Sequence, residues 1–165
     1  RIVSLPPAPP RAGSALEVAW WSLQLRFWAW RNDGYSGPKA HVRMFVKYFA
    51  PSPNLSLPHS VGLRAGLIGV VNVFASSDMT GSNQVVIAHE LLHTFGAVDK
   101  YDPATNLPLF PVGYAEPNAQ PPLPQKFAEI MAGRIPLSPT SAETPAGLDE
   151  TMIGAQTARE ISWLK

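Results

Sequence analysis

The segment from His89 to Asp99 (HELLHTFGAVD) constrains the fold more than any other part of this chain. His89 and His93 are four residues apart, so on a helix their imidazoles lie on one face, one turn apart. A shuffled chain of this composition would contain the His-Glu-x-x-His pattern only about 0.003 times, so chance explains it poorly. Gly96 is the residue type that ends a helix in the left-handed conformation. The segment therefore predicts a helix over about residues 82–95, with Gly96 as its stop.

The spacing of these residues is typical of a metal site. Two imidazoles one turn apart can direct nitrogens to one zinc ion at about 2.0–2.1 Å, and Glu90 can reach a metal-bound water as a general base. A catalytic zinc site needs a third protein ligand and leaves its fourth position to water. Three residues after Gly96 reach at most about 10 Å, which is enough to return Asp99 to the histidine face. We predict one catalytic Zn²⁺ ion held by His89, His93 and Asp99.

Asp102 is the rival third ligand, because it follows Asp99 by only three residues. Asp102, Asn106 and loop carbonyls could also hold a calcium ion, although the loop lacks the alternating acidic residues of a calcium-binding loop. His41 and His59 have no partner at metal-ligand spacing, and we expect both to be surface or structural histidines.

Composition excludes several classes of protein. The chain has 165 residues, of which 45% are hydrophobic and 15% charged, with 13 Lys and Arg against 12 Asp and Glu. This predicts a single folded domain over residues 1–165 and no nucleic-acid partner, because no basic cluster is present. The absence of cysteine excludes disulfides, thiolate zinc ligands and thiol nucleophiles. We expect a monomer.

The sequence contains no segment long enough to cross a membrane. The most apolar stretch, residues 61–75, includes Arg64 and Asn72 and falls short of the about 20 residues that a bilayer requires. We therefore expect a soluble chain. Because the first residue is Arg1 rather than Met, we expect a processed or cloned fragment of an exported protein, secreted or periplasmic, whose signal or anchor is not in this sequence.

The N-terminal residues predict a lead-in and a helix. Residues 1–11 contain four prolines and predict an extended lead-in, with an edge strand at residues 2–5. Residues 14–31 predict a helix with a Ser14–Glu17 capping box, although alternation from residue 23 onward would also fit a strand. We expect the core to cover one stripe of this helix, Leu16, Trp20, Leu23, Phe27 and Trp30, spaced by 4, 3, 4 and 3 residues. The competing use of so many tryptophans is a membrane-surface or sugar-binding face.

The rest of the chain predicts two strands, two loops and a closing helix. Residues 41–49 alternate and predict a half-buried strand, and the Val-rich residues 66–75 predict a buried one. Residues 50–65 and 97–125 are rich in Pro and predict loops, and residues 149–164 predict a helix. In the first strand we expect an inner face of Val42, Met44, Val46 and Tyr48.

The string HExxHxxGxxD resembles the zinc signature of the metzincin metallopeptidases, and in particular of the small secreted snapalysin-type bacterial proteases, which use Asp as third ligand. These enzymes also have a tight turn whose methionine lies beneath the ligands, and residues 129–134 (EIMAGR), with Met131, match it. The resemblance implies a metzincin-like α+β single domain. Its parts would be a small twisted sheet, a zinc-binding active-site helix, a long irregular loop, the Met-turn and a C-terminal helix. The alternative for Met131 is an ordinary core methionine.

The function that this resemblance implies is a zinc-dependent endopeptidase acting on peptides or proteins. Zinc would polarise the scissile carbonyl, while Glu90 would deprotonate the bound water and then protonate the leaving amine. Tyr114 lies where related enzymes sometimes place a tyrosine that donates to the tetrahedral oxyanion. The alternative interpretation is that Tyr114 only packs against its neighbours. The alternative function is a catalytically idle zinc domain that binds peptide or cell-wall material, against which an intact Glu90 counts. A deformylase-type hydrolase is disfavoured, because its metal site resembles one with a Cys ligand and this chain has no cysteine.

Overall fold

Helices and short strands form a mixed α/β structure, compatible with the predicted α+β class. The computed structural model describes residues 4–10, 14–38, 40–53 and 56–165. Within these ranges the helices are α1 (Ala15–Arg31), α2 (Thr80–Phe95) and α3 (Ala155–Glu160). The strands are β1 (Arg43–Phe49), β2 (Val61–Leu63), β3 (Ile68–Phe74), β4 (Ala128–Glu129), β5 (Ile135–Ser138), β6 (Ser141–Glu143) and β7 (Thr151–Met152). None of the helices in the described ranges has the length and apolarity needed to cross a bilayer.

A three-stranded sheet in the order β1-β3-β2 underlies α2. Strand β3 is the central strand, pairing in parallel with β1 and antiparallel with β2, and its mostly buried side chains confirm the predicted buried strand. Strand β2 lies inside the segment that we predicted as a loop, so that prediction is wrong at residues 61–63. Three residues with a glycine in the middle carry no periodicity signal, and only the pairing with β3 makes them a strand.

Helix α1 forms where it was predicted, but it buries the opposite face. The capping box is confirmed: Glu17 N–H donates to Ser14 Oγ at 3.3 Å, and Ser14 N–H donates to Glu17 Oε2 at 2.6 Å. The predicted core stripe is wrong, because each of its five side chains is more than half exposed. The core is instead lined by Trp21, Leu25, Trp28 and Ala29. Both stripes have helical spacing, so periodicity alone does not select between them.

The described part of the lead-in explains this choice of face. Residues 4–10 cross the buried side of α1 without forming a helix or a strand. There the indole N–H of Trp21 donates to the Pro7 carbonyl at 2.9 Å and that of Trp28 donates to the Ser4 carbonyl at 3.1 Å. Buried indoles need such acceptors. Ser4 and Leu5 are in no strand, and the rest of the predicted edge strand lies outside the described residues.

We expect a mutational contrast between the two faces of α1. Leu25 is fully buried, so Leu25→Ala should lower the free energy of unfolding by about 3 kcal/mol. Leu16 is 82% exposed, so Leu16→Ala should change it by less than about 0.5 kcal/mol. Urea unfolding of both variants in dilute solution measures the difference. A larger loss for Leu16→Ala than for Leu25→Ala would mean that the core covers the other stripe.

The predicted inner face of β1 is also wrong. Phe45 packs edge-on against Trp28, with ring centroids 4.8 Å apart, whereas Tyr48 is 68% exposed. Strand β1 lies at the edge of the sheet, and every residue in it except Tyr48 is half-buried. The alternation of apolar and polar residues in this strand therefore does not produce one buried face and one solvent-exposed face.

The closing helix is much shorter than predicted. Helix α3 covers only Ala155–Glu160, and the residues before it form a short 3₁₀ turn at Leu148–Glu150 and then strand β7. Strand β7 pairs in parallel with β4, so a tertiary contact overrides local helix propensity there. By contrast, the long loop is confirmed, since residues 97–125 contain no helix or strand and only three isolated bridge residues, Tyr101, Pro108 and Tyr114.

Candidate metal site

Helix α2 places two histidines and a glutamate on the side facing strand β2. The helix ends at Gly96 as predicted, with φ at +107°, a conformation that glycine adopts at little cost. Gly62 of β2 packs directly on this part of the helix. A Cβ atom there would overlap the Glu90 carbonyl oxygen and lie 2.7 Å from His93 Cβ, so only glycine allows the strand to approach so closely.

The chain reverses after Gly96 and returns Asp99 to the histidines. Ala97 N–H donates to the Leu92 carbonyl at 3.1 Å, which fixes the reversal. Asp99 Oδ1 then lies 3.0 Å from His89 Nε2 and 3.2 Å from His93 Nε2, and the two Nε2 atoms are 3.1 Å apart. The structure thus brings together the three predicted metal ligands.

These three atoms fit a metal ion. His89 Nδ1 lies 2.9 Å from the Ile130 carbonyl and His93 Nδ1 lies 2.8 Å from the Ala97 carbonyl. A carbonyl only accepts, so each Nδ1 carries a proton, and when the ring is neutral its Nε2 lone pair points towards Asp99. Ligands about 2.0 Å from a tetrahedral ion lie about 3.3 Å from one another, close to the spacing found here. With both rings neutral, the two Nε2 lone pairs and the Asp99 carboxylate oxygen converge on one point, an arrangement suited to binding a cation.

The charge distribution agrees with a cation-binding group. Burial disfavours the charged form of Asp99, but hydrogen bonds from His89 and His93 outweigh it and hold the pKa of Asp99 well below its usual range. Burial likewise opposes protonation of His93, yet its hydrogen bonds to Asp99 and Ala97 raise its pKa. In the metal-free chain, a proton on His93 therefore competes with a metal ion for the same lone pair.

Glu90 is buried beside the ligands and is not one of them. It is 7% exposed, and burial raises its pKa, while the neighbouring His89 and His93 partly offset this effect. Its Oε2 atom is buried and has no hydrogen-bond partner within the described residues. Glu90 lines the cleft beside the ligands, and a carboxylate oxygen without a partner is able to accept a proton from a water molecule held next to it.

The site opens into a polar cleft of about 280 Å³. Edge strand β2 forms one wall, and His59 lies exposed at its rim. The opposite wall carries Tyr101, whose pKa is raised by burial and by the nearby charges of Asp99 and Glu90. Its phenol is therefore a proton donor at neutral pH.

The other sequence candidates lie elsewhere. Asp102 Oδ1 accepts from Ala104 N–H at 2.7 Å within the loop, away from the ligand group. Tyr114 packs against Phe110 and lines a different cavity, next to Arg159. Among the His, Asp and Glu side chains that the structure describes, only His89, His93 and Asp99 come together as a group of three potential metal ligands.

Met131 is fully buried in a tight turn behind the histidines. The preceding residue, Ile130, supplies the carbonyl that accepts from His89, so the turn sets the orientation of that ring. Met131 also joins the core cluster that contains Leu92 of α2.

Glu129 holds this turn in place. Its carboxylate is fully buried, and Oε2 accepts from Met131 N–H at 2.7 Å and Ala132 N–H at 3.1 Å. Oε1 accepts from Gly154 N–H at 3.1 Å and from the Thr157 hydroxyl at 2.5 Å. One side chain thus ties the turn to the start of α3.

A buried ion pair fixes the segment between Asp99 and Tyr101. Lys100 is 2% exposed, and its Nζ lies 2.7 Å from Glu160 Oε2 of α3. Glu160 also accepts from Val98 N–H at 3.1 Å. In an extended segment, successive side chains point to opposite sides, so burying Lys100 directs Asp99 and Tyr101 together into the cleft.

We expect Glu160→Gln to destabilise the fold by about 2 kcal/mol at neutral pH, because it leaves the buried Lys100 without a counter-charge. Burial opposes ionisation of Glu160, but its bond with Lys100 outweighs this and lowers its pKa. The stabilisation is therefore present above the unfolded pKa of about 4.3 and is lost as pH falls through the lower folded value. Thermal unfolding at decreasing pH from pH 7 measures this, and a gap between wild type and variant that does not narrow below the unfolded pKa of about 4.3 would contradict it.

Three residues that matter here were not predicted as site residues: Gly62, Tyr101 and Glu129. Tyr101 had a usable signal, because it follows Asp99 by two residues and so shares its side of an extended segment. Gly62 and Glu129 act through pairing and turn contacts that join distant parts of the chain, which a single sequence does not reveal.

Comparison with known proteins gives no relative to which the site can be referred: no protein-family model, curated protein or solved structure matches the chain.

Proposed function

We propose that this chain is a zinc-dependent endopeptidase of the metzincin type. The observation that carries the proposal is the convergence of His89, His93 and Asp99 beside a buried Glu90 that has a free oxygen. A site that only stored a metal would have no need of this carboxylate, whereas hydrolysis requires a base at that position.

The residues of the chain would divide the reaction as follows. A zinc ion held by the three ligands would polarise the scissile carbonyl and make water more acidic. Glu90 would take a proton from the attacking water through Oε2 as the C–O bond forms. It would then pass that proton to the amide nitrogen as the C–N bond breaks, giving a carboxylic acid and an amine. Glu90 ends the cycle ionised, as it began.

Tyr101 takes the role for which Tyr114 was considered. Tyr101 lines the same cleft as Glu90, and its hydroxyl lies within hydrogen-bonding reach of Asp99. Its raised pKa keeps it protonated, so it can donate a hydrogen bond to the oxyanion of the tetrahedral intermediate. Oxyanion donors act where negative charge develops, and they contribute to kcat more than to substrate binding.

Strand β2 supports a peptide as the substrate. Within the described residues β2 pairs on one side only, with β3, and its outer edge borders the cleft. An extended peptide could add to this edge through backbone hydrogen bonds, which bind a chain at internal positions irrespective of its termini. This arrangement favours endopeptidase over exopeptidase activity.

The test is metal-dependent cleavage of an unstructured protein such as casein. We expect about one zinc ion per chain after reconstitution, loss of cleavage in a chelator and its return with added zinc. His89→Ala and His93→Ala should each remove the bound zinc. A reconstituted wild-type protein that binds no transition metal would overturn the proposal, and one that binds zinc without cleaving would assign the site to the idle peptide-binding alternative.

A further inference from the structure

Helix α1 presents an apolar stripe that nothing in the described structure covers. The stripe consists of Leu16, Trp20, Leu23, Phe27 and Trp30, with exposed fractions from 51% to 82%. The opposite face of the same helix is buried against the sheet, so α1 is apolar on two sides. A helix with that pattern is usually covered on both sides, and an exposed contiguous apolar patch marks an interaction surface.

The area of the stripe suits a protein partner. Its aromatic members have about 150–250 Å² of surface each, so the exposed parts amount to roughly 600 Å². Two such faces would bury roughly 1,200 Å² in total, which is the lower limit for a specific protein–protein interface. The stripes of two copies of this chain, packed against each other, would therefore bury enough area for a specific interface without any further surface.

The spacing of the stripe suits another helix. Intervals of 4, 3, 4 and 3 residues place all five side chains on a narrow seam, the pattern by which helices pack side by side. Phe27 and Trp30 already contact each other on this seam, with ring centroids 5.7 Å apart.

The charges beside the stripe select a self-complementary, antiparallel arrangement. Glu17 lies in the first turn and Arg31 in the last turn of α1. In an antiparallel pair each Glu17 approaches Arg31 of the other copy, whereas a parallel pair would bring like charges together. Antiparallel pairing also gives the two-fold symmetry that most homodimers have.

We propose that two copies of this chain dimerise through their α1 helices, packed antiparallel along the Leu16–Trp30 stripe. This replaces the expectation of a monomer and does not depend on the metal chemistry. A lipid surface fits less well, because the only basic residues of α1, Arg26 and Arg31, are partly offset by Glu17 and form no cluster.

The first test is sedimentation velocity over a range of protein concentrations. We expect a species of twice the 17.9 kDa chain mass, with dissociation in the micromolar range. Phe27→Arg, in the middle of the stripe, should weaken dimerisation at least tenfold. The control is Tyr48→Arg, at an exposed aromatic on strand β1, which should leave dimerisation unchanged. Circular dichroism checks that both variants fold.

The second test determines the relative orientation of the two α1 helices. Because the chain has no native cysteine, a single introduced cysteine is the only thiol in each variant. A short thiol cross-linker should join a Glu17→Cys chain to an Arg31→Cys chain in a mixture far more than it joins either variant to itself. Preferential self-linking would contradict antiparallel packing. A wild-type chain that stays monomeric at all concentrations would overturn the dimer. If that monomer binds neutral phosphatidylcholine vesicles and Phe27→Arg abolishes the binding, the stripe would be a lipid-binding surface instead.

Discussion

Asp99→Ala should abolish tight zinc binding, while Asp102→Ala should leave it largely intact. Among the residues that the structure describes, Asp99 is the only one whose carboxylate oxygen lies within about 3 Å of both histidine Nε2 atoms, at 3.0 and 3.2 Å. Removing a ligand should exceed the ~10–100-fold loss of metal affinity typical of removing a residue that only orients a ligand. Asp102 is matched in chemistry and nearly in position, but its carboxylate serves a loop turn.

Competition titration against a chromophoric chelator gives the affinity of each variant for zinc. Circular dichroism of the metal-free proteins checks that Asp99→Ala still folds. The assignment would be wrong if Asp102→Ala lost zinc while Asp99→Ala retained it, and the metzincin resemblance would weaken with it.

Glu129→Ala should have the largest effect on stability of any single substitution near the site. It would leave the N–H groups of Met131 and Gly154 and the Thr157 hydroxyl without their acceptor in the interior, whereas Ala132 N–H keeps the Glu129 backbone carbonyl at 2.9 Å. At about 1 kcal/mol or more for each of these three unsatisfied donors, the loss should reach about 3 kcal/mol. Thr157→Val removes only one of these hydrogen bonds and should cost about 1 kcal/mol.

Glu129→Gln separates stability from metal binding. The amide keeps one acceptor oxygen, so the chain should still fold, but its NH₂ group faces donors and should displace the turn that carries the Ile130 carbonyl. We expect zinc affinity to fall by about 10–100-fold, the range for groups that orient a metal-ligating histidine. Urea unfolding and zinc titration on the same sample measure both effects. Unchanged zinc affinity would show that the turn does not orient His89.

The sequence predicted the site better than it predicted the packing around it. His89, His93, Gly96 and Asp99 lie within eleven residues, so helical spacing and a single chain reversal are enough to place them. The capping box of α1 is local in the same way. Local spacing therefore carries the information for both features.

The errors arose where distant segments decide the outcome. Helix α1 has two apolar stripes, and the lead-in that accepts hydrogen bonds from Trp21 and Trp28 selects the buried one. Strand β7 replaces the first part of the predicted closing helix because it pairs with β4. Neither contact leaves a periodic pattern in the sequence, so neither could be predicted from it.

The most direct test of the central claim compares zinc-loaded wild type and Glu90→Gln on one peptide library, with cleavage products counted by mass spectrometry. The isosteric amide cannot accept the proton of the attacking water, and it leaves the three ligands untouched. We predict equal zinc content in the two proteins and a turnover at least ~10²-fold lower in the variant. Equal turnover in the two zinc-loaded proteins would contradict the proposed role of Glu90, and with it the account of this site as a peptidase centre.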